Sequence, residues 1–86
     1  MEILAILLLD MLRNADIKGV DLTRKVMLDV FRAKGHNPVE VALVAFALEQ
    51  DGAIGATGDF LHLTAKGQAA AKVCAEIIDT NEANRA

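Results

Sequence analysis

Three kinds of residue in this 86-residue chain could do chemistry: two histidines, one cysteine and a set of closely spaced glycines. A metal or nucleophilic site needs several such groups converging. His36 lies in a loop just before a helix-capping asparagine, and His62 lies on a predicted strand between Leu61 and Leu63. Neither has a Cys or His neighbour at metal-ligand spacing, so no metal site is expected, and both read as structural or surface histidines. Cys74 has no base beside it in sequence to activate it, and its neighbours Val73 and Ile77 mark it as a buried small hydrophobe. Gly52, Gly55 and Gly58 recur every third residue, but no Lys-Ser/Thr pair follows to cradle a phosphate, and turn formation accounts for them. No catalytic constellation emerges, and neither enzyme activity nor a cofactor is expected.

The composition narrows the class further. A chain of 86 residues and 9.2 kDa is one domain with one modest core. Hydrophobic residues make up 53% of it and only three are aromatic (Phe31, Phe46, Phe60), so the core must be aliphatic. A formal charge of −3 argues against general affinity for nucleic acid. The charge is uneven: residues 13–36 hold six basic and three acidic residues (+3), and residues 37–86 hold three basic and seven acidic (−4). A single cysteine fits a reducing cytoplasm. The apolar run Ile3–Leu9 is interrupted by Asp10 and lacks a basic leader, which predicts neither a signal peptide nor a membrane span.

Four helices and a hairpin are predicted to position these residues. Helix one covers Glu2 to Asn14. Its polar residues occupy a narrow arc, so it is buried on most sides, either as a central helix or against a second subunit through Leu4, Leu7, Leu8 and Met11. A turn at Ala15–Gly19 leads to helix two, capped by Asp21 and ending at Gly35, with Val26, Met27, Val30 and Phe31 inward and Lys25, Asp29 and Arg32 outward. Asn37, Pro38 and Glu40 form a strong start signal for helix three, which stops at Asp51-Gly52. Ala53-Ile54 and Phe60–Leu63 read as a short hairpin turned by Gly55, Gly58 and Asp59. Thr64 caps a last helix running to about Asp79, with Ala70, Val73, Cys74 and Ile77 inward, and Thr80–Ala86 reads as a frayed polar tail.

Helix three is apolar on two opposite sides. At 100° per residue, Val41, Val44, Ala45 and Leu48 fall on one side, and Val39, Leu43, Phe46 and Ala47 on the other, with Glu40 and Glu49 on the seams. One side can serve the core. The other needs a cover, either elsewhere in the chain (helix one or the hairpin) or on a partner protein.

The element order resembles a winged helix-turn-helix domain. L-E-Q-D-G-A-I (Leu48–Ile54) resembles a recognition helix entering the first wing strand. F-L-H-L-T-A-K-G (Phe60–Gly67) resembles the second wing strand entering the last helix, as in MarR-like and PadR-like regulators. The resemblance covers residues 37–79, and helices one and two match in order only. It implies a mainly α fold with a small β-hairpin, and DNA binding with helix three in the major groove. The residues for that task are missing: from Asn37 to Ile54 there is no Lys or Arg, and Glu40, Glu49 and Asp51 would repel phosphates.

The expected function is therefore protein–protein contact through Val39, Leu43, Phe46, Ala47 and the stem of Gln50, by a homodimer or a subunit of a complex, with Phe46 as anchor. Covering those side chains contributes a few kcal/mol at about 25 cal/mol per Å². A dimeric transcription regulator using a basic patch on helix two (Arg24, Lys25, Arg32, Lys34) is the first alternative. A small inhibitor or adaptor docking on a partner enzyme is the second.

Overall fold

The computed structural model describes the backbone of residues 3–85 and the side-chain environments of residues 3–78. Its elements run α1 (Ile3–Lys18), β1 (Leu22–Thr23), α2 (Arg24–Ala33), α3 (Pro38–Gln50), β2 (Ile54–Thr57), β3 (Phe60–Leu63) and α4 (Ala65–Arg85). This is a mainly helical, winged-helix-like layout with a small antiparallel sheet in the strand order β1-β3-β2. The β1 strand is an addition to the expected hairpin. It forms because Leu22 turns into the core opposite Leu61, with Thr23 opposite Phe60.

That strand also moves the start of α2. With Leu22 committed to the sheet, the cap falls on Thr23 rather than Asp21, and the Thr23 hydroxyl accepts a hydrogen bond from the Val26 amide at 3.2 Å. The helix phase then buries Met27 and Phe31, covers Val30 in part, and leaves Val26, expected inward, 47% exposed.

The first helix continues past the predicted stop at Asn14 to Lys18. Gly19, at φ +69°, closes it: the Val20 amide donates to the Ala15 carbonyl at 2.9 Å and the Gly19 amide to Asp16 at 3.1 Å. Left-handed backbone after the last turn is what this closure requires, and glycine adopts it without a Cβ penalty. Nothing between Asn14 and Lys18 breaks a helix, so it propagates to that glycine. Glu2, read as its first residue, lies outside the described residues.

Three other elements gather around α1. It packs on α4, α3 and β3, and Leu8 and Leu9 are fully enclosed, with Leu4, Ala5 and Leu12 buried beside them. Met27, Phe31, Val41, Ala45, Leu22, Ala53, Ile54, Leu61, Leu63, Ala71 and Cys74 complete one continuous, largely aliphatic core.

The third helix starts where its sequence says. Asn37 Oδ1 accepts the Val39 amide at 2.9 Å, and Pro38 occupies the first turn. Replacing that cap by alanine is expected to cost about 1 kcal/mol. Chemical denaturation of Asn37→Ala should register it as a lower midpoint with an unchanged slope. At the other end Gly52 (φ +82°) lets the chain reverse, with Ala53 donating to Leu48 O at 2.9 Å, so that β2 begins at Ile54. A two-residue turn at Gly58-Asp59 then pairs Thr57 with Phe60.

Thr64 joins the hairpin to α4. Its Oγ1 accepts the Gly67 amide at 3.1 Å and donates to the Gly52 carbonyl, while its amide donates to Ala53 O at 3.1 Å. Gly67 is itself buried against Ala53, and this contact fixes the phase of the helix. Ala71 and Cys74 follow it inward; Ala70 is part-buried, and Val73 and Ile77, expected inward, are 54% and 44% exposed. No proline or glycine follows Asp79, so the backbone stays helical through the expected tail to Arg85. Ala86 lies outside the described residues.

Candidate functional site: the outward face of α3

In α3 the two apolar sides separate cleanly. Val41 and Ala45 have no solvent exposure, and Val44 and Leu48 pack partly against the same core. On the opposite side Val39, Leu43 and Phe46 are 66%, 63% and 56% exposed. Ala47 and Gln50 are exposed with them. So is Ala42, which the sequence reading omitted although it stands only about 40° from Phe46 on the helical wheel. Three large apolar side chains at i, i+4 and i+7, uncovered within one subunit, form a patch of the kind that marks interaction surfaces.

Beside the patch runs a shallow groove of about 400 Å³, walled by Ala5 of α1 and by Glu40, Leu43, Val44, Ala47 and Leu48 of α3. Ala5 comes from 35 positions before Glu40, and no local pattern in the sequence could have placed it there.

The charged neighbours of α3 are drawn into ion pairs. Arg24 reaches from α2 to Glu49, with Nη2 and Oε1 2.5 Å apart. Lys66 of α4 lies 3.2 Å from the Asp51 carboxylate and donates to the Asp51 carbonyl at 2.8 Å. These partly exposed pairs are each worth less than about 1 kcal/mol. Each sets a cation against an acid in α3 or at its C-terminal cap.

The basic set on α2 is only partly gathered. Arg24, Lys25 and Arg32 line one groove together with Thr23, Leu28, Asp29 and Asp59, so two carboxylates share it with three cations. Lys34 follows the helix end and is outside that lining. The wing tip is tied down, since the Asp59 carbonyl accepts the Arg24 amide at 3.2 Å.

Of the residues read as a dimer interface on helix one, Leu4 and Leu8 are buried inside a single chain at 8% and 0% exposure. Leu7 and Met11 are part-buried against the same core. The stripe of α1 that carries Leu4, Leu8 and Leu12 is covered by the chain's own elements, because α3, β3 and α4 all pack on this helix, while Ile3 and Ile17 at its ends stay exposed. An interface through Leu4 and Leu8 would require that core to open.

The chemistry-bearing residues stand apart. The His36 ring lies 5.5 Å from that of Phe31 at a 58° tilt. His62 faces Gly55 across the hairpin, where a Cβ would meet its ring, and its Nε2 is 3.3 Å from Thr57 Oγ1. Cys74 is enclosed in the core, and burial, followed by the nearby Asp10 carboxylate, pushes its thiol above the ordinary cysteine range. Among the described residues no three His, Cys, Asp or Glu side chains cluster to hold a metal ion. No helix among them is long and apolar enough to cross a membrane.

Comparison with known protein families, curated proteins and solved structures finds no match to this chain.

Proposed function

We propose that this winged-helix-like domain, whose element order resembles that of the winged helix-turn-helix superfamily, is a protein–protein interaction module whose contact surface is the outward face of α3. The observation that carries this reading is the exposure of Val39, Leu43 and Phe46 on the helix that a DNA-reading relative would place in the major groove. Base edges and phosphates call for amide and cationic side chains. This face offers apolar carbon, one amide (Gln50) and acids at its margins. Burying such side chains gains free energy roughly in proportion to the apolar area removed from water, and a large central residue such as Phe46 carries the greatest share.

A DNA-binding regulator using α2 is the weaker alternative. Lys25 and Arg32 are exposed there, but Arg24 is engaged by Glu49, and Asp29 and Asp59 share the groove. An inhibitor or adaptor docking on an enzyme would use the same α3 face and differs only in what covers it.

The test places a photo-crosslinking amino acid at Leu43 in the source cells. Protein adducts, lost when Phe46→Asp is added, are the expected result. Phe46→Asp itself should remain folded with a stability loss below about 1 kcal/mol, since the position is exposed. Adducts to DNA, or none to protein, would remove this reading.

A further inference from the structure

Resting on that reading, we infer that the partner covering α3 is a second copy of this chain, paired antiparallel about a two-fold axis that passes beside residues 44 and 45.

The exposed residues Val39, Leu43, Phe46 and Gln50 are spaced 4-3-4, the alternation of a heptad seam. In that frame Val39 and Phe46 hold d positions, and Leu43 and Gln50 hold a positions. An antiparallel two-fold pair stacks each a against a partner d. Residue i then meets residue 89 − i, which sets Leu43 against the partner's Phe46 and Val39 against the partner's Gln50. Each layer combines one larger and one smaller side chain, or one apolar and one amide. The length of α3 from Val39 to Gln50 is used symmetrically.

The flanking positions fit the same arrangement. Glu40 and Ala47 fall on one flank of the seam, and Ala42 and Glu49 on the other. Antiparallel helices bring like flanks together, so Glu40 faces the partner's Ala47 and Glu49 faces the partner's Ala42. No carboxylate opposes another, and each is met by a methyl group that lets the backbones approach. Glu49 is in addition neutralised by Arg24 of its own chain. A two-fold interface must be compatible with itself, and the spacing of this seam and the placement of its carboxylates meet that condition. Antiparallel helices also align their dipoles favourably. The patch is small, at the low end of interfaces below about 1,200 Å² in total, so the dimer is a dissociating one.

Sedimentation equilibrium on the whole chain, from micromolar to millimolar concentration, should show a monomer–dimer equilibrium. Ala47→Lys, placed opposite the partner's Glu40, should tighten it at least threefold, and Ala47→Glu should weaken it at least as much. Ala47 is exposed in the single chain, so neither change disturbs the core. Leu43→Cys mixed with Phe46→Cys should form the mixed disulfide, mapped by peptide mass, faster than either variant bridges to itself. Equal self-bridging, or no response to charge at position 47, would overturn the antiparallel pairing. A chain monomeric at every concentration would overturn self-pairing altogether. If the Leu43 crosslinker nevertheless captures another protein, the interaction reading stands without it, and if it captures none, both fall.

Discussion

Gly67→Ala should destabilise the domain by about 2–4 kcal/mol, although alanine is the better helix former by roughly 1 kcal/mol. A Cβ built on Gly67 would lie 1.8 Å from the Ala53 carbonyl oxygen and 2.8 Å from its carbon. Those are backbone atoms, and no rotamer change can move them aside. Relief requires α4 to withdraw from the start of β2. That movement strains the Thr64 amide bond to the same carbonyl and the Thr64 hydroxyl bond to Gly52. It also pulls Ala71 and Cys74 out of register with α1, because the phase of α4 is set at Gly67. For a domain of this size each kcal/mol lost lowers the melting temperature by about 4–8 °C. The melting temperature followed by circular dichroism should therefore fall by at least ~8 °C. A rise instead would mean that helix propensity prevails and that the close contact with Ala53 is absent in solution.

Gly67 also illustrates what the sequence conceals. Its neighbours Thr64 and Ala65 announce a helix start, and a glycine three residues past a cap reads locally as a weak helix residue. Its purpose lies in a carbonyl 14 positions earlier. The α4 phase was misjudged for that reason: Ala70, Val73, Cys74 and Ile77 form a plausible apolar stripe, and the contact at residue 67 rotates the helix so that Ala71 and Cys74 take the interior. In α2 the error had the same origin, since Asp21 is a good cap until Leu22 is required opposite Leu61. Where signals are strictly local, reading and structure coincide. Asn37-Pro38 opens α3, Asp51-Gly52 closes it, and Phe60–Leu63 alternates outward and inward as one strand of the wing. The two apolar faces of α3 were legible because both belong to a single helical period. Which of them the chain leaves in water depends on where α1 packs, so the period alone does not decide it. The resemblance to a DNA-reading helix pointed to Val39, Leu43, Phe46 and Ala47, and these are the exposed ones.

Replacing Leu8 by alanine should remove about 2–5 kcal/mol of stability, whereas Leu43→Ala should change it by less than about 0.5 kcal/mol. The two positions carry the same side chain on two apolar helices, and sequence alone gave each a claim to the surface. Leu8 has no solvent exposure, so its truncation loses buried methyl groups and leaves a cavity lined by an aliphatic core. Leu43 is 63% exposed, so truncation there removes surface already in contact with water. Urea unfolding at low micromolar concentration keeps association from contributing to either value. Its slope should be unchanged while the Leu8→Ala midpoint falls sharply. At high concentration the order of sensitivity reverses for self-association: Leu43→Ala should weaken it, and Leu8→Ala should leave it intact wherever the domain is still folded. That reversal separates the two roles, because an interface through α1 would make Leu8 the residue on which association depends. If Leu43→Ala were as costly as Leu8→Ala in dilute solution, the outward face of α3 would be core, and no apolar surface would be left on that helix for a partner to cover.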